Sequence, residues 1–182
     1  MRKLILVRHG QYDSQTGDLT GLGVRQAGAT VRALRDYEFD VLHCSTMPRA
    51  QQTARILKHG LRSRLKLKPS SLLRERLPSP VPGMTTRADL PELRENLAIM
   101  QRAYARLSRP SRGDRTELVV AHGNLIRLFV CLALRIKPTL WLRMGIHNCS
   151  ITVLVVKDGT HGDNLISFNE TGHLPAQLRT YT

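Results

Sequence analysis

Two histidine motifs and an arginine are the residues of this chain whose types and spacing suggest chemistry. Arg8-His9-Gly10 ends an apolar run near the amino terminus, His122-Gly123 ends a second one, and Arg49 follows a third. Guanidinium groups match the oxygens of a phosphoryl group, and a neutral imidazole within reach of phosphorus can act as a nucleophile. These types predict phosphoryl transfer through a phosphohistidine, with the two arginines and a protonated His122 stabilising the charge.

The reaction also needs a proton for the leaving oxygen, and a partly buried carboxyl group can supply one. Glu75 is the best placed candidate, because it follows the apolar pair Leu72-Leu73 and opens a proline-rich loop. Glu75 could instead be a solvated loop acid paired with a neighbouring arginine. Asp13 and Asp18 are alternative proton donors.

The spacing of histidines and cysteines argues against a metal site. Neither histidine motif has a second ligand at a spacing such as HxH or HExxH. Cys44, Cys131 and Cys149 lack CxxC spacing, which argues against a zinc ribbon or a disulfide scaffold and favours a reducing compartment. We therefore expect an enzyme without a metal or another cofactor.

The segments that carry the two histidine motifs are predicted strands. Leu4–Val7 and Glu117–Ala121 are apolar runs of the kind buried on both faces of a parallel sheet. Ligands bind at the carboxyl ends of such strands, and right-handed crossovers bring those ends to one edge of the molecule. We therefore expect both histidines, Arg8 and Arg49 to face a common pocket.

The other segments predict an α/β fold, a three-layer sandwich whose mostly parallel central sheet has helices on both faces and antiparallel edge strands. Residues 1–182 are expected to form a single catalytic domain. In the first half, the elements are a helix capped by Thr20 and ending near Asp36, a strand at Phe39–Cys44, a helix capped by Ser45 or Thr46 and ending near Gly60, and an edge strand at Leu65–Lys68.

In the second half, the prolines of Arg76–Arg87 predict a loop of lid length. A hairpin-like turn is predicted at Lys157-Asp158-Gly159-Thr160. The remaining elements are helices over Leu90–Leu107 and Leu125–Leu134, and strands at Trp141–Met144, Ser150–Lys157 and Asn164–Phe168.

The chain is strongly basic, with 28 Lys and Arg residues against 14 acidic ones and a formal net charge of +14. This balance favours a polyanionic partner, but the cations are spread along the chain as on a solvated surface, and only Arg62–Lys68 forms a tight group. Aromatic residues make up 4% and offer few platforms for stacking bases, so no nucleic acid partner is expected. No apolar run is long enough to span a bilayer.

Five segments of the chain, in order, resemble the histidine phosphatase superfamily, which includes the phosphoglycerate mutases. The resemblance implies that His9 is the nucleophile, that Arg8, Arg49 and His122 bind phosphate, that Glu75 donates the proton, and that no metal takes part. The segments are Arg8-His9-Gly10, Leu19–Ala27 with Gly23 and Gln26, Ser45–Ala54 with Arg49 and Thr53, Leu73-Arg74-Glu75, and His122-Gly123.

Within the superfamily, the chain is similar to the phosphoglycerate-mutase-like mitochondrial Ser/Thr protein phosphatases. Mutases and sugar bisphosphatases usually have Glu-Thr or a close variant where this chain has Gln11-Tyr12, which argues against a mutase. Gln11 and Asn124 complete the candidate phosphate-binding residues. The similar segments are His9–Tyr12, His122–Arg127, Trp141–Arg143, Asn148–Thr152 and Thr171–Pro175.

The resulting hypothesis is a metal-independent phosphomonoesterase acting on phosphoserine or phosphothreonine in proteins. A basic rim around Arg76 and Arg87 would suit acidic phosphopeptides. The alternatives are a small-molecule phosphatase, a phosphoglycerate mutase-like enzyme or, in another class, a non-catalytic module that binds phosphate or polyanions. Binding alone needs neither nucleophile nor acid, so the set of His9, Glu75 and His122 argues against the last.

Two further expectations concern assembly and location. The late strands would allow a homodimer. We expect an intracellular, reducing compartment, which is the cytoplasm for the chain as it stands and the mitochondrion if a leader or anchor precedes it.

Overall fold

A computed structural model describes residues 1–61, 65–111, 113–157 and 162–181. Six strands and four α-helices alternate through the described residues, joined in places by short 3-10 helices. The strands are β1 (Arg2–Arg8), β2 (Val41–Ser45), β3 (Leu67–Ser70), β4 (Arg115–Ala121), β5 (Ile151–Val156) and β6 (Asn164–Glu170). The helices are α1 (Gly21–Leu34), α2 (Pro48–Gly60), α3 (Leu90–Leu107) and α4 (Gly123–Ala133).

One sheet contains all six strands, in the order β3-β2-β4-β1-β5-β6. The first four of these run parallel, whereas β5 is antiparallel to β1 and β6 is antiparallel to β5. β1 and β4 are neighbours in register, with Arg8 opposite Ala121. The two histidines that follow these strands therefore emerge side by side, and the predicted mostly parallel sheet with antiparallel strands at one edge is confirmed.

Helices cover both faces of the sheet, because successive residues of a strand point to opposite sides. In β1, Leu4 and Leu6 belong to the core formed with α3 and α4, whereas Ile5 and Val7 belong to the core formed with α1 and α2. All four side chains are fully buried, and each such burial contributes roughly 1.5–3 kcal/mol. The predicted three-layer arrangement is confirmed.

The helix starts agree with prediction in one case and differ in another. The Thr20 hydroxyl accepts a hydrogen bond from the Gly23 amide and caps α1. α2 starts later than predicted, with Met47 as its N-cap and Pro48 as its first residue. A proline suits that position because a first-turn N–H has no partner within the helix. Ser45 lies in β2 instead, where its hydroxyl accepts from the Met47 amide.

The predicted strand at Trp141–Met144 is wrong, because Pro138–Arg143 forms a 3-10 helix. Trp141 is buried there, and its indole N–H donates to the Ser79 hydroxyl over 2.8 Å. The apolar residues of this segment fit a strand and a helical turn equally well. The contact between Trp141 and Ser79 favours the helical turn, and the local sequence does not show this contact because Ser79 lies far away along the chain.

The edge strand β3 begins at Leu67, two residues later than predicted, and it lies at the edge of the sheet as expected. The basic group Arg62–Lys68 and the turn Lys157–Thr160 lie partly outside the described residues. The segment between Glu75 and Thr86 contains neither helix nor strand, in agreement with its prolines, and the 3-10 helix Arg87–Asp89 leads into α3.

Candidate active site

His9 lies directly after β1, at the carboxyl end of the sheet, and only 2% of its surface is exposed. Its Nδ1 is 2.8 Å from the Gly10 carbonyl oxygen, and the Arg49 Nε–H donates to its Nε2 over 3.1 Å. A carbonyl oxygen only accepts, so we infer that Nδ1 carries the proton and Nε2 presents its lone pair. Burial, helped by the charges of Arg8 and Arg49, lowers the pKa of His9 to about 3. The ring is therefore neutral at pH 7, and Nε2 can act as a nucleophile.

The backbone beside His9 is fixed by the first turns of α1 and α2. A Cβ on Gly10 would lie 2.6 Å from the Gly23 carbonyl oxygen, and a Cβ on Gly23 would lie 2.0 Å from the Gln11 carbonyl oxygen. Both positions therefore require glycine. The Gln26 side chain accepts from the Gln11 amide over 2.7 Å, and the Gly10 amide donates to the Thr53 hydroxyl over 3.1 Å. These motif residues position His9 through its backbone.

Arg49 lies in the first turn of α2 and is largely buried. Its guanidinium lies over the Tyr12 ring, 4.2 Å from the ring centroid, and the same ring lies edge-on to His9 at 5.3 Å. A cation over an aromatic face is held by the ring quadrupole. Tyr12 therefore orients both Arg49 and His9, a contact that sequence reasoning did not identify.

Arg8, the last residue of β1, points to the same side of the sheet as Leu4 and Leu6. Its Nη1 donates to the Ile146 carbonyl oxygen over 2.7 Å. Burial lowers the pKa of Arg8, and the nearby charge of Glu75 opposes that shift. The structure thus brings Arg8, Arg49 and His9 together, as predicted.

His122 caps α4 directly after β4 and is fully buried. Its ring centroid is 5.0 Å from that of His9, and its Nε2 is 2.8 Å from the Ser45 hydroxyl oxygen. Burial and the nearby cations, Arg49 and Arg8 among them, lower the pKa of His122 far below its usual range. This shift favours a neutral His122 in the free protein, and the protonated His122 of the reaction stays a prediction. A bound phosphoryl group would favour the charged form through its negative charge.

Glu75 completes the cluster from the opposite side. Its Oε1 accepts from the Asn124 amide over 3.1 Å, and its Oε2 lies 3.8 Å from the Nδ1 of His122. Both Oε2 and Nδ1 are buried without a hydrogen-bond partner. Burial raises the pKa of Glu75 to about 7, against the opposing effects of the Asn124 amide and Arg8. The site therefore favours the protonated form of Glu75 much more than water does.

The alternative roles considered for the acids fit the structure less well. Arg76 donates to the Asn96 side chain over 3.0 Å, and Glu75 itself is 26% exposed, so Glu75 is not a solvated acid paired with Arg76. Asp13 and Asp18 are exposed and accept hydrogen bonds within their own surface loop and from Gln52. Glu75 is therefore the best placed acid.

Gln11 and Asn124 lie beside the site, but their side chains have other partners. The Gln11 side-chain oxygen accepts from the Thr20 hydroxyl over 2.9 Å. The Asn124 side chain donates to the Arg76 carbonyl oxygen over 3.1 Å and accepts from Arg127. Their assignment as phosphate ligands stays a prediction.

Arg127 is a further cation near the site that sequence reasoning did not single out. Its charge acts on both Arg8 and Glu75, and its guanidinium lies 4.7 Å from the Trp141 ring centroid. It follows Asn124 by three residues in α4, a spacing that places both on one helix face. From this spacing, the sequence could have indicated that Arg127 lies beside Asn124 near the site.

A cavity of about 250 Å³ adjoins Glu75 and lies under the proline-rich loop and the start of α3. Arg76 lines this cavity, but so do Asp89 and Glu92. The expected basic rim around Arg76 and Arg87 is therefore wrong in part, because acidic side chains line the same opening.

Three findings bear on metals, thiols and membranes. Over the described ranges, no group of three or more His, Cys, Asp or Glu side chains is arranged to hold a metal ion. The three cysteines are free and buried. In the part of the chain that the structure describes, every helix is too short or too polar to cross a bilayer.

A comparison with protein families identifies the class. Residues 4–115 and 97–170 match the family model described as the histidine phosphatase superfamily (branch 1). The chain belongs to this superfamily and is a phosphatase. The resemblance that the five sequence segments indicated is thus confirmed.

Individual relatives narrow the comparison. The chain is 39% identical over 191 residues to the mitochondrial serine/threonine-protein phosphatase Pgam5 of Caenorhabditis briggsae, a match that covers all of this chain and 67% of that protein. The Pgam5 of Drosophila virilis is 34% identical over 196 residues, with 99% of this chain and 67% of that protein covered. The finer resemblance to mitochondrial Ser/Thr protein phosphatases is also confirmed.

Solved structures share the fold. A phosphoglycerate mutase from Plasmodium falciparum is 29% identical, with a TM-score of 0.67 and coverage of 100% of this chain and 98% of that chain. A phosphoserine phosphatase from Entamoeba histolytica is 22% identical, with a TM-score of 0.74 and coverage of 96% of this chain and 100% of that chain. The latter shows the fold alone.

Proposed function

We propose that this chain is a Ser/Thr phosphoprotein phosphatase that works through a phosphohistidine at His9. One observation carries the proposal: a neutral His9 presents Nε2 beside Arg49, in a cluster with a carboxyl group whose pKa is about 7. A nucleophile without a proton and an acid with one are the two groups that this chemistry requires.

In the first step, Arg8, Arg49 and His122 hold the phosphoryl oxygens. If the His122 Nε2 accepts from the Ser45 hydroxyl, the neutral ring presents its Nδ1–H as a donor. The Nε2 of His9 attacks phosphorus, the N–P bond forms, and the P–O bond to the leaving alcohol breaks. Glu75 gives its proton to the leaving oxygen and becomes a carboxylate.

In the second step, water attacks the phosphohistidine. The Glu75 carboxylate takes the proton of the water, the N–P bond breaks, and its electron pair returns to Nε2 as inorganic phosphate leaves. Phosphoryl transfer depends mainly on positioning and on charge stabilisation. The buried cations around His9 supply that stabilisation, and the Arg49 Nε–H releases the His9 Nε2 when the phosphoryl group binds.

The substrate class is supported by the relatives and by the cavity beside Glu75. The relatives are named Ser/Thr protein phosphatases. The leaving oxygen lies next to its proton donor, so the alcohol side of the substrate extends toward the cavity that Glu75 lines. That cavity contains both charges and apolar side chains, as a peptide segment with mixed side chains requires.

The decisive experiment compares phosphate release from a phosphothreonine peptide, p-nitrophenyl phosphate and 3-phosphoglycerate, all in EDTA. We expect peptide turnover, and a loss on the order of a thousandfold or more in His9→Ala, because the nucleophile is removed. His59→Ala, a change at an exposed histidine of α2, is the matched control and should remain fully active.

Different outcomes would redirect the proposal. Turnover of the small esters without the peptide would make the protein a small-molecule phosphatase. Full activity in His9→Ala would remove the phosphohistidine mechanism. Binding of the peptide without turnover by the wild type would favour a non-catalytic module.

We also propose a mitochondrial location and a homodimer. The first is supported by the names of the relatives, and microscopy of the tagged native protein would test it. The second is supported by β6, an edge strand whose Ile166 is 61% exposed. Light scattering after size-exclusion chromatography would give the mass in solution.

A further inference from the structure

A second cavity lies at the amino ends of β1, β2 and β4, the opposite end of the sheet from His9 and His122. Its volume is about 340 Å³, in the range of small-molecule sites. The walls come from these strands, from β3 with the 3-10 helix that follows it, and from the last turns of α3. The described residues that line it include none of the candidate catalytic side chains.

The inner wall holds a buried acid that is already neutralised. Glu117 is 4% exposed, and its Oε2 lies 3.0 Å from the Nε2 of His43. Its Oε1 lies 3.6 Å from the Nε of Arg2 and 3.7 Å from the Nε of Arg115. Glu117 is thus a matched counterion within the wall and leaves no unbalanced negative charge to attract a cation.

The cations that line the cavity outnumber this acid. Lys68, Arg106 and Arg115 are exposed at its rim, and Arg2 lies deeper. Among the described residues, neither Lys68 nor Arg106 has an acidic side chain within 4 Å. The cavity therefore has a positive rim, which favours an anionic group.

Apolar side chains form part of the remaining wall, together with Ser70. Val41, Leu72, Leu73 and Leu107 face the cavity from three different elements. Such a surface gains free energy when it covers an apolar body, and it offers nothing to an inorganic anion. We propose that this cavity is a second binding site, which takes a small organic anion with an apolar body and one anionic head group.

The test uses 2-naphthalenesulfonate as the probe, with calorimetric titration of the full chain. We expect one probe per chain, bound roughly tenfold more tightly than either inorganic sulfate or uncharged 2-naphthalenemethanol, because each of these offers only half of the contacts. The titration is repeated with excess inorganic phosphate, which is expected to occupy the site around His9. Binding that persists belongs to the second cavity.

Two variants assign the probe to the cavity. Arg106→Glu reverses a rim charge and should weaken binding roughly tenfold, and Lys68→Glu should act in the same direction. Arg102→Glu makes the same charge change on the same helix outside the cavity and should leave the affinity within about twofold. All three side chains are exposed, so the variants should fold.

Three results would overturn the site. Equal losses of affinity in Arg106→Glu and Arg102→Glu would mean that the probe responds to the overall positive charge of the protein and not to the cavity. Sulfate binding as tight as that of the probe would remove the role of the apolar wall. Displacement of the probe by phosphate, together with an unchanged affinity in Arg106→Glu, would place it in the phosphoryl site instead.

Discussion

Each end of the sheet holds a histidine opposite a glutamate, and the two pairs differ in geometry. At the carboxyl end, the Nδ1 of His122 lies 3.8 Å from the Oε2 of Glu75, and neither atom has a hydrogen-bond partner. At the amino end, the Nε2 of His43 lies 3.0 Å from the Oε2 of Glu117. In the first pair, both atoms can still form a hydrogen bond with a third group. In the second pair, the two atoms form a hydrogen bond with each other.

Burial acts in the same direction on both acids, yet their pKa values shift in opposite directions. Burial raises the pKa of Glu75 to about 7, whereas the hydrogen bond from His43 and the charges of Arg2 and Arg115 outweigh burial and lower the pKa of Glu117. Residue types and burial alone therefore do not separate the pair proposed to act in catalysis from the stabilising one. The hydrogen bonds of the facing atoms distinguish the two pairs: Glu75 Oε2 and His122 Nδ1 have none, whereas His43 and Glu117 bond to each other.

The largest expected effect that tests this contrast is on catalysis. Glu75→Gln keeps the shape of the side chain but cannot donate the proton to the leaving oxygen, so kcat for a phosphopeptide should fall about a hundredfold to ten-thousandfold. Glu117→Gln is the matched control and should retain kcat within a few fold. Steady-state kinetics on the folded variants measures both. Equal losses in the two variants would show that the ends of the sheet are not functionally distinct.

The stability of the same two variants should reverse this order. Glu117→Gln leaves the buried guanidinium of Arg2 without its counterion, and breaking such a buried pair costs about 3 kcal/mol. Urea unfolding at pH 7 measures the change in the free energy of unfolding. A loss below about 1 kcal/mol would mean that Glu117 does not stabilise the fold as the counterion of Arg2.

Glu75→Gln should increase stability at alkaline pH. The folded-state pKa of Glu75, about 7, lies above the usual value of 4.5, so the folded state favours the protonated form. Stability from this group is present below the unfolded pKa and is lost as pH rises through the folded pKa. At pH 8 the wild type therefore carries a cost of up to about 3 kcal/mol that the glutamine variant avoids. Urea unfolding at pH 5 and pH 8 checks this, and a variant no more stable than wild type at pH 8 contradicts it.

The part of the carboxyl-end site that could be predicted from the sequence is the placement of residues directly after the strands. His9 and His122 follow two apolar runs, and parallel pairing of β1 with β4 brings them within 5.0 Å between ring centroids. The motif residues Gly23 and Gln26 were visible as a pattern, and their contacts with the backbone next to His9 give the reason for it.

The rest depends on burial, which local sequence does not report. The sequence pattern shows His122 as a histidine among cations, but not that it is fully buried and that burial lowers its pKa. Tyr12 and Arg127 were missed as contacts of the site, because each acts through a partner distant in sequence. The partners of Glu117 were also out of reach, since two of them, Arg2 and His43, come from other strands.

The smallest expected effect concerns the strand that joins the two ends. Ser45 and His43 are two residues apart in β2, so their side chains share a face, with Ser45 against His122 and His43 against Glu117. Ser45→Ala removes the partner of the His122 Nε2 and the hydrogen bond that sets its tautomer. A hydrogen bond of this kind contributes about 1 kcal/mol, so kcat/KM should fall about fivefold with little change in fold.

His43→Gln is the control for Ser45→Ala on the same face of the same strand. It should leave kcat/KM unchanged and lower the free energy of unfolding by about 1 kcal/mol, because it weakens a hydrogen bond to a buried carboxylate. If His43→Gln lowers kcat/KM as much as Ser45→Ala does, β2 transmits changes along its length. The amino-end cavity would then be coupled to catalysis, and the two ends of the sheet would be parts of one functional unit.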